Sequence, residues 1–180
     1  MIVKSGINIE KILLSFLILT GLAASLYSQD KKISGIVNIY KRVEAIGIAP
    51  PDNVTLSDVT NLAPGDTVLL IQMKGAVINV PEDGNFGSYK DLIGTPGFSE
   101  FLIVESVNSG TRNVVFTTNI INNFDVEGVV QLVKVPYYNS ATVTSTLTCQ
   151  PWDSTSRTGG VLVMIIGRTL SLDAGIDVSG

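Results

Sequence analysis

Histidine is absent from the 180 residues, and cysteine occurs once, as Cys149. Without histidine, Ser-His-Asp and Cys-His nucleophilic chemistry is excluded, and so is the commonest zinc ligand. Basic side chains are scarce as well: Lys plus Arg is 12 against 16 Asp plus Glu, a formal charge of −4. That balance lacks the positive footprint that phosphate-backbone binding requires, which argues against nucleic acid as a partner. A lone cysteine permits no internal disulfide. Cys149 reads as a small buried hydrophobe in a strand, with an intermolecular disulfide as the alternative. A catalytic thiol is disfavoured because no histidine activates it.

What the chain does have is β-branching. Val, Ile and Thr number 21, 19 and 15, or 55 of 180 residues. Branched side chains fit a pleated surface and lose rotamer freedom in helices, so the expected fold class is all-β. The length supports one domain or two small ones with a real core.

The N-terminus reads as a targeting segment. Lys4 and Lys11 precede an apolar run from Ile12 to Leu26, and no charge returns until Asp30. This is the layout of a secretory signal peptide over 1–28, with cleavage after Ser28. The competing reading is an uncleaved anchor, since the uncharged stretch 12–29 sits at the lower limit for spanning a bilayer. On the signal-peptide reading the protein is exported, secreted or held at the cell surface, and meets a membrane only through that segment.

Residues 29–53 read as a leader carrying Lys31, Lys32, Lys41 and Arg42, solvated and ending near Pro50-Pro51. From Val54 onward short apolar runs alternate with turns. Thr67 to Met73 is apolar without alternation, as in a strand buried on both faces. Residues 79–97 are rich in Gly, Pro, Asn and Asp and read as a long loop. The runs Phe101–Val104 and Val114–Thr117 flank Asn108-Ser-Gly-Thr111, a hairpin signal with Gly110 available for positive φ. Val129 to Val135 is a further strand, stopped by Pro136. Together, 54–135 predict a small antiparallel barrel or sandwich.

Beyond Pro136 the texture changes. Residues 136–159 read as a linker and strand, and 160–180 as the first coils of a parallel β-solenoid. In those coils Leu170, Leu172, Ile176 and Val178 point one way, and Asp-Ala-Gly forms a corner. A solenoid needs about three repeats and a polar cap. The pattern stops at Gly180 with neither, so the sequence reads as part of something longer, with an edge that makes it aggregation-prone.

The blocks Pro64–Ala76, Val130–Tyr137, Ala141–Thr148, Gln150-Pro-Trp152, Gly159–Leu162 and Ile176–Gly180 resemble the N-terminal region of large surface proteins. Those proteins belong to gliding bacteria that export by type IX secretion. The resemblance covers roughly 54–180 and implies an adhesin-like or surface-structural role. It supplies no catalytic residues. In that family the Asp-Val-Ser-Gly block leads into a glycine-rich segment, and a C-terminal sorting domain often follows. The loop Asp153–Thr158 departs from the pattern in being longer and more polar. Asp66-Thr-Val68 and Asp153-Ser-Thr155 resemble the short O-glycosylation signal of such bacteria.

Candidate sites are few. Trp152, Tyr137 and Tyr138, with Tyr89, could form a stacking surface for sugar rings. The competing role for Trp152 is to plug the junction between barrel and solenoid. Asp83-Gly-Asn85 with Gly87 lacks the ligand count of a calcium loop and reads as a polar turn. Asp173 and Asp177 fall at solenoid corners and read as solvated. Among Glu82, Asp83, Glu100, Glu105, Asp125 and Glu127 no carboxylate pair stands out for glycoside hydrolysis. No catalytic, cofactor or metal residues are therefore assigned. The leading expectation is a non-enzymatic surface adhesin-like or structural protein whose barrel caps a β-rich stalk, with surface glycans or other cell-surface proteins as partners. The alternatives are the opening of a polysaccharide-degrading β-helix enzyme, or a carbohydrate-binding module centred on Trp152.

Overall fold

A computed structural model of the chain describes residues 30–179, so the signal-peptide and anchor readings of 1–28 lie outside the described residues. The fold is all-β, with a closed antiparallel barrel, a parallel sheet and a small exposed hairpin.

The barrel joins six strands: β2 (Ile39–Ile46), β3 (Asn53–Leu56), β4 (Thr67–Gln72), β7 (Ser99–Asn108), β8 (Asn113–Phe116) and β9 (Val130–Lys134). Their order around it is β2-β3-β8-β7-β4-β9, closing where β9 pairs β2, with Ile39 opposite Lys134. Of the two architectures left open by the sequence, the barrel is the one formed. Alternation explains its interior: Val54 and Leu56, Leu102 and Val104, and Val114 and Phe116 are buried on one face while their neighbours point outward. Val59, Leu62, Ile120 and Phe124 complete this core from the connecting segments.

β4 and β9 do not alternate. Val68, Leu70 and Leu132 fill the barrel, while Leu69, Val133 and Val135 form a second cluster on its outer wall with Tyr40, Val161, Val163 and Ile165. The unbroken apolar run from Thr67 thus has its cause in the chain that packs outside the barrel.

The parallel sheet is built from β1 (Lys31–Ile36), β10 (Tyr137–Thr148), β11 (Ile165–Leu172) and β12 (Ile176–Asp177). Ala141, Val143 and Leu147 pair in one constant register with Leu170, Leu172 and Ile176. These are successive coils of a solenoid. The exposed Thr144-Ser-Thr146 corner of one coil lies beside Asp173-Ala-Gly175 of the next, joined through Val143 O, which accepts from the N–H groups of Asp173 and Ala174.

The first coil among the described residues is β1. Lys31 pairs with Ala141 and Ile33 with Val143, partners that lie beyond the last barrel strand, so the whole barrel is inserted between coil one and coil two. This corrects the leader expected over 29–53: β1 belongs to the solenoid and β2 is a barrel stave. The reason is packing. Ile33 is buried against Ala141, Val143 and Leu147, and Val43 points into the barrel. Lys41 is corrected too. It is 8% exposed on the inward face of β2, where its ammonium donates to Asp58 and to Thr60 Oγ1. The expected linker and strand over 136–159 is the second coil and the loop that leaves it, and the solenoid does not wait for residue 160.

The hairpin at 108–113 forms, but its left-handed residue is Arg112 (φ 56°), not Gly110. Asn108 Oδ1 accepts from the N–H groups of both Gly110 and Thr111 and draws the turn tight, which moves the left-handed position toward the end of the turn. The long loop at 79–97 carries one short strand, β6 (Tyr89–Leu92), which pairs with β5 (Ala76–Ile78) just before the loop to form an exposed arm.

Candidate functional site

Two buried glutamines fix the parts of the molecule that carry its exposed surfaces. Gln72 ends β4 inside the barrel mouth. Its Nε2 donates to the carbonyls of Lys74 and Ile93, and its Oε1 accepts from the N–H groups of Thr95 and Asp125. Both roots of the β5–β6 arm and the start of a single-turn 3-10 helix (Val126–Gly128) are thereby tied to one side chain. Gln131, on the outer face of β9, exchanges two hydrogen bonds with the backbone of Gly159, at 2.9 and 3.0 Å. That pair pins the loop 150–160 to the barrel wall.

The loop so pinned forms one side of a cleft of about 620 Å³. Ser154, Thr155 and Arg157 stand on the loop, Arg42 and Glu44 on β2, and Glu127 on the 3-10 helix, over a floor of Val43, Val126 and Val129. Asp153 shapes the loop: its carboxylate accepts from the N–H groups of Thr155 and Ser156, and these bonds hold its pKa below the usual carboxylate range. Arg157 N donates to Asp153 O at 2.8 Å, with Arg157 itself left-handed at φ 58°. Glu44 is gripped by Arg42 at 2.7 Å and Arg112 at 3.1 Å. The hydrogen bond from Arg42, with the Arg112 charge behind it, pushes its pKa down and keeps it ionised. Arg157 has no carboxylate partner among the described residues. The lining thus carries two guanidinium groups, Arg42 and Arg157, and two carboxylates, Glu44 and Glu127, with Arg112 reaching Glu44 from outside it.

The aromatic residues singled out in the sequence do not converge. Tyr137 and Tyr138 open β10 on opposite faces: Tyr137 is 62% exposed, with its ring over Gly167 of the next coil, while Tyr138 packs in the solenoid core. Burial raises the Tyr138 pKa. Trp152 lies beyond the other end of this twelve-residue strand, half-buried. Lys74 Nζ, from the barrel, sits 5.6 Å from its ring centroid, a cation–π contact that joins loop to barrel. Tyr89 is on the exposed arm.

Asp83 Oδ1 accepts from Asn85 N within the arm's tip, and Asp177 accepts from the Ser179 amide and hydroxyl, which lower its pKa. No group of three His, Cys, Asp or Glu residues among those described is placed to hold a metal ion. Cys149 is buried and unpaired. No helix among the described residues is long and apolar enough to cross a membrane. The cleft escaped sequence reasoning because its walls come from three segments far apart in the chain, 42–44, 126–129 and 154–157, with no local spacing to mark them.

No protein-family model matches the chain, and no curated protein matches it. Among solved structures it is similar to the tailspike protein gp49 from Pseudomonas phage LKA1. There the identity is 17% and the TM-score 0.33, over 66% of this chain and 19% of that one. It is also similar to the gp54 tailspike of Acinetobacter baumannii bacteriophage AP22, solved in complex with a capsular saccharide. In that case the identity is 9% and the TM-score 0.38, over 88% of this chain and 30% of the other. The chain thus spans less than a third of either protein's length.

Proposed function

We propose that this region is a scaffold: part of an exported, surface-displayed β-solenoid that works by offering a coil edge as a template and presenting binding surfaces, not by catalysis. One observation carries the reading. Val143 and Leu147 of the second coil are 0% exposed, while their row partners in the third, Leu172 and Ile176, are 58% and 44% exposed. The same row is covered at the second coil and open at the third. An open parallel edge with apolar side chains in register is a template for another strand. The barrel braces the stack from the side. Asn38 donates to the carbonyls of Lys134 and Val163 and accepts from Val163 N, and Tyr40 donates to Val161 O at 2.6 Å. The sequence blocks that resemble type IX-exported surface proteins of gliding bacteria support the same role, adhesive or structural.

Sedimentation velocity of the purified chain against Leu172→Asp/Ile176→Asp tests this. The wild type is expected to associate as its concentration rises, and the double variant to stay monomeric with the same circular dichroism. Identical sedimentation of the two would overturn the templating role. Surface display is checked by protease treatment of intact cells, where survival of the whole population of the protein would contradict it.

A further inference from the structure

The cleft between barrel and loop has the composition of a binding site, and its chemistry selects a ligand. We infer that it binds a carboxylate-bearing sugar, a hexuronic acid unit of an acidic polysaccharide. The volume of about 620 Å³ falls within the range of small-ligand clefts. The half-buried Val126 offers a small apolar surface to the C–H face of a pyranose ring. Its walls offer hydroxyl groups at Ser154 and Thr155 and a carboxylate at Glu127, which accepts from sugar hydroxyls.

Arg157 is the group that separates acidic from neutral sugars, and Glu127 in the same cleft is likewise without an ion-pair partner among the described residues. Glu44 is matched by Arg42 and Arg112, so it presents no uncompensated negative charge to a ligand. Arg157 faces the cleft with no carboxylate among the described residues bound to it, and a guanidinium fork matches a carboxylate in a bidentate pair. A neutral hexose leaves that fork unused. The site is also preorganised. Asp153 fixes the turn through two backbone amides, and Gln131 locks Gly159 to the barrel, so the wall carrying Arg157 is held before any ligand arrives. The site shares no residue with the open coil edge, and its test is independent of templating.

The full chain is titrated with D-glucuronate, D-glucose and inorganic sulfate, followed by saturation-transfer NMR and calorimetry. Glucuronate is expected to bind in the millimolar range, with glucose at least about tenfold weaker, as for the loss of one charge-assisted bidentate contact. Arg157→Gln is expected to lower glucuronate affinity about tenfold at unchanged melting temperature. Ser154→Trp, filling the cleft from its exposed side, is expected to abolish binding, and Arg168→Gln on the solenoid to leave it unchanged. Equal binding of glucuronate and glucose, or of glucuronate by wild type and Arg157→Gln, would overturn the assignment. So would sulfate binding as tightly as glucuronate, which marks a site for any anion, or no saturation transfer with glucuronate at tens of millimolar.

Discussion

Replacing Gln72 by Met keeps a side chain of similar length in the barrel mouth but removes its amide. Four backbone groups lose their partners at once: the carbonyls of Lys74 and Ile93 and the N–H groups of Thr95 and Asp125. Gln72 is fully buried, so water does not replace the amide without opening the structure. An orphaned buried polar group costs about 1–3 kcal/mol. The roots of the arm lie close to solvent, so the low end applies, and four groups give a loss of about 4 kcal/mol. For a fold of this size that corresponds to a drop in melting temperature of roughly 8–16 °C. Gln131→Met orphans only the N–H and carbonyl of Gly159, so its loss is about half as large, about 2 kcal/mol. Differential scanning calorimetry of the two variants measures the ranking. Amide hydrogen exchange supplies a local readout, with protection at Thr95 and Asp125 lost in Gln72→Met while the β7–β8 hairpin keeps its own. A Gln72→Met protein melting within about 3 °C of wild type, or above Gln131→Met, would refute the claim that one side chain holds the arm and the 3-10 helix.

With no histidine in the chain, melting temperature is expected to stay flat between about pH 5.5 and 8. On the acid side Asp58, Glu44, Asp153 and Asp177 all have folded pKa values below their ordinary ones, led at Asp58 by the hydrogen bond from Lys41. Their contribution is complete above the ordinary carboxylate pKa and is lost as pH falls through the depressed folded values. Melting scans should therefore steepen below about pH 4, with Asp58→Asn flattening that limb. Gly128→Ala places a methyl carbon 2.6 Å from Lys74 O and against the Gln72 amide, so it should reproduce much of the Gln72→Met loss in the same calorimetry. Asn38→Ala removes three hydrogen bonds, one to the carbonyl of Lys134 on the barrel and two to the backbone of Val163 ahead of β11, and a loss of about 2 kcal/mol is expected. Urea unfolding followed separately at Trp152 and by circular dichroism should then cease to coincide.

The sequence announced those features whose causes are local. The unbroken run at Thr67 marks a strand covered on both faces, the Asn-Ser-Gly turn marks a hairpin, and the Asp-Ala-Gly corner marks a coil. What it hid is non-local. β1 reads Lys-Lys-Ile-Ser-Gly-Ile, with two exposed lysines and one buried Ile33, too short and mixed for a period to show. Its partner β10 lies on the far side of the barrel in the chain, and parallel pairing leaves no mark at either end. Lys41 reads as solvated because only the β2–β3 fold-back brings Asp58 and Thr60 over it. The cleft residues were visible singly, Arg42 in a basic stretch and Glu127 among carboxylates, but nothing in the chain order joins them to Arg157.

The placement of the barrel bears on how the chain assembles. Its first and last staves are neighbours, with Ile39 opposite Lys134, so the chain leaves the barrel beside the point where it enters. Before the barrel closes, β1 and β10 are the ends of a loop that contains every stave. After it closes, only residues 37–38 and 135–136 separate them from its rigid wall. Shortening a flexible loop from about a hundred residues to about four lowers the entropic cost of closure by about 3 kcal/mol. The barrel is thus a splint for the joint between these two coils, and by the same reckoning their pairing eases closure of the barrel, so the two stabilise each other.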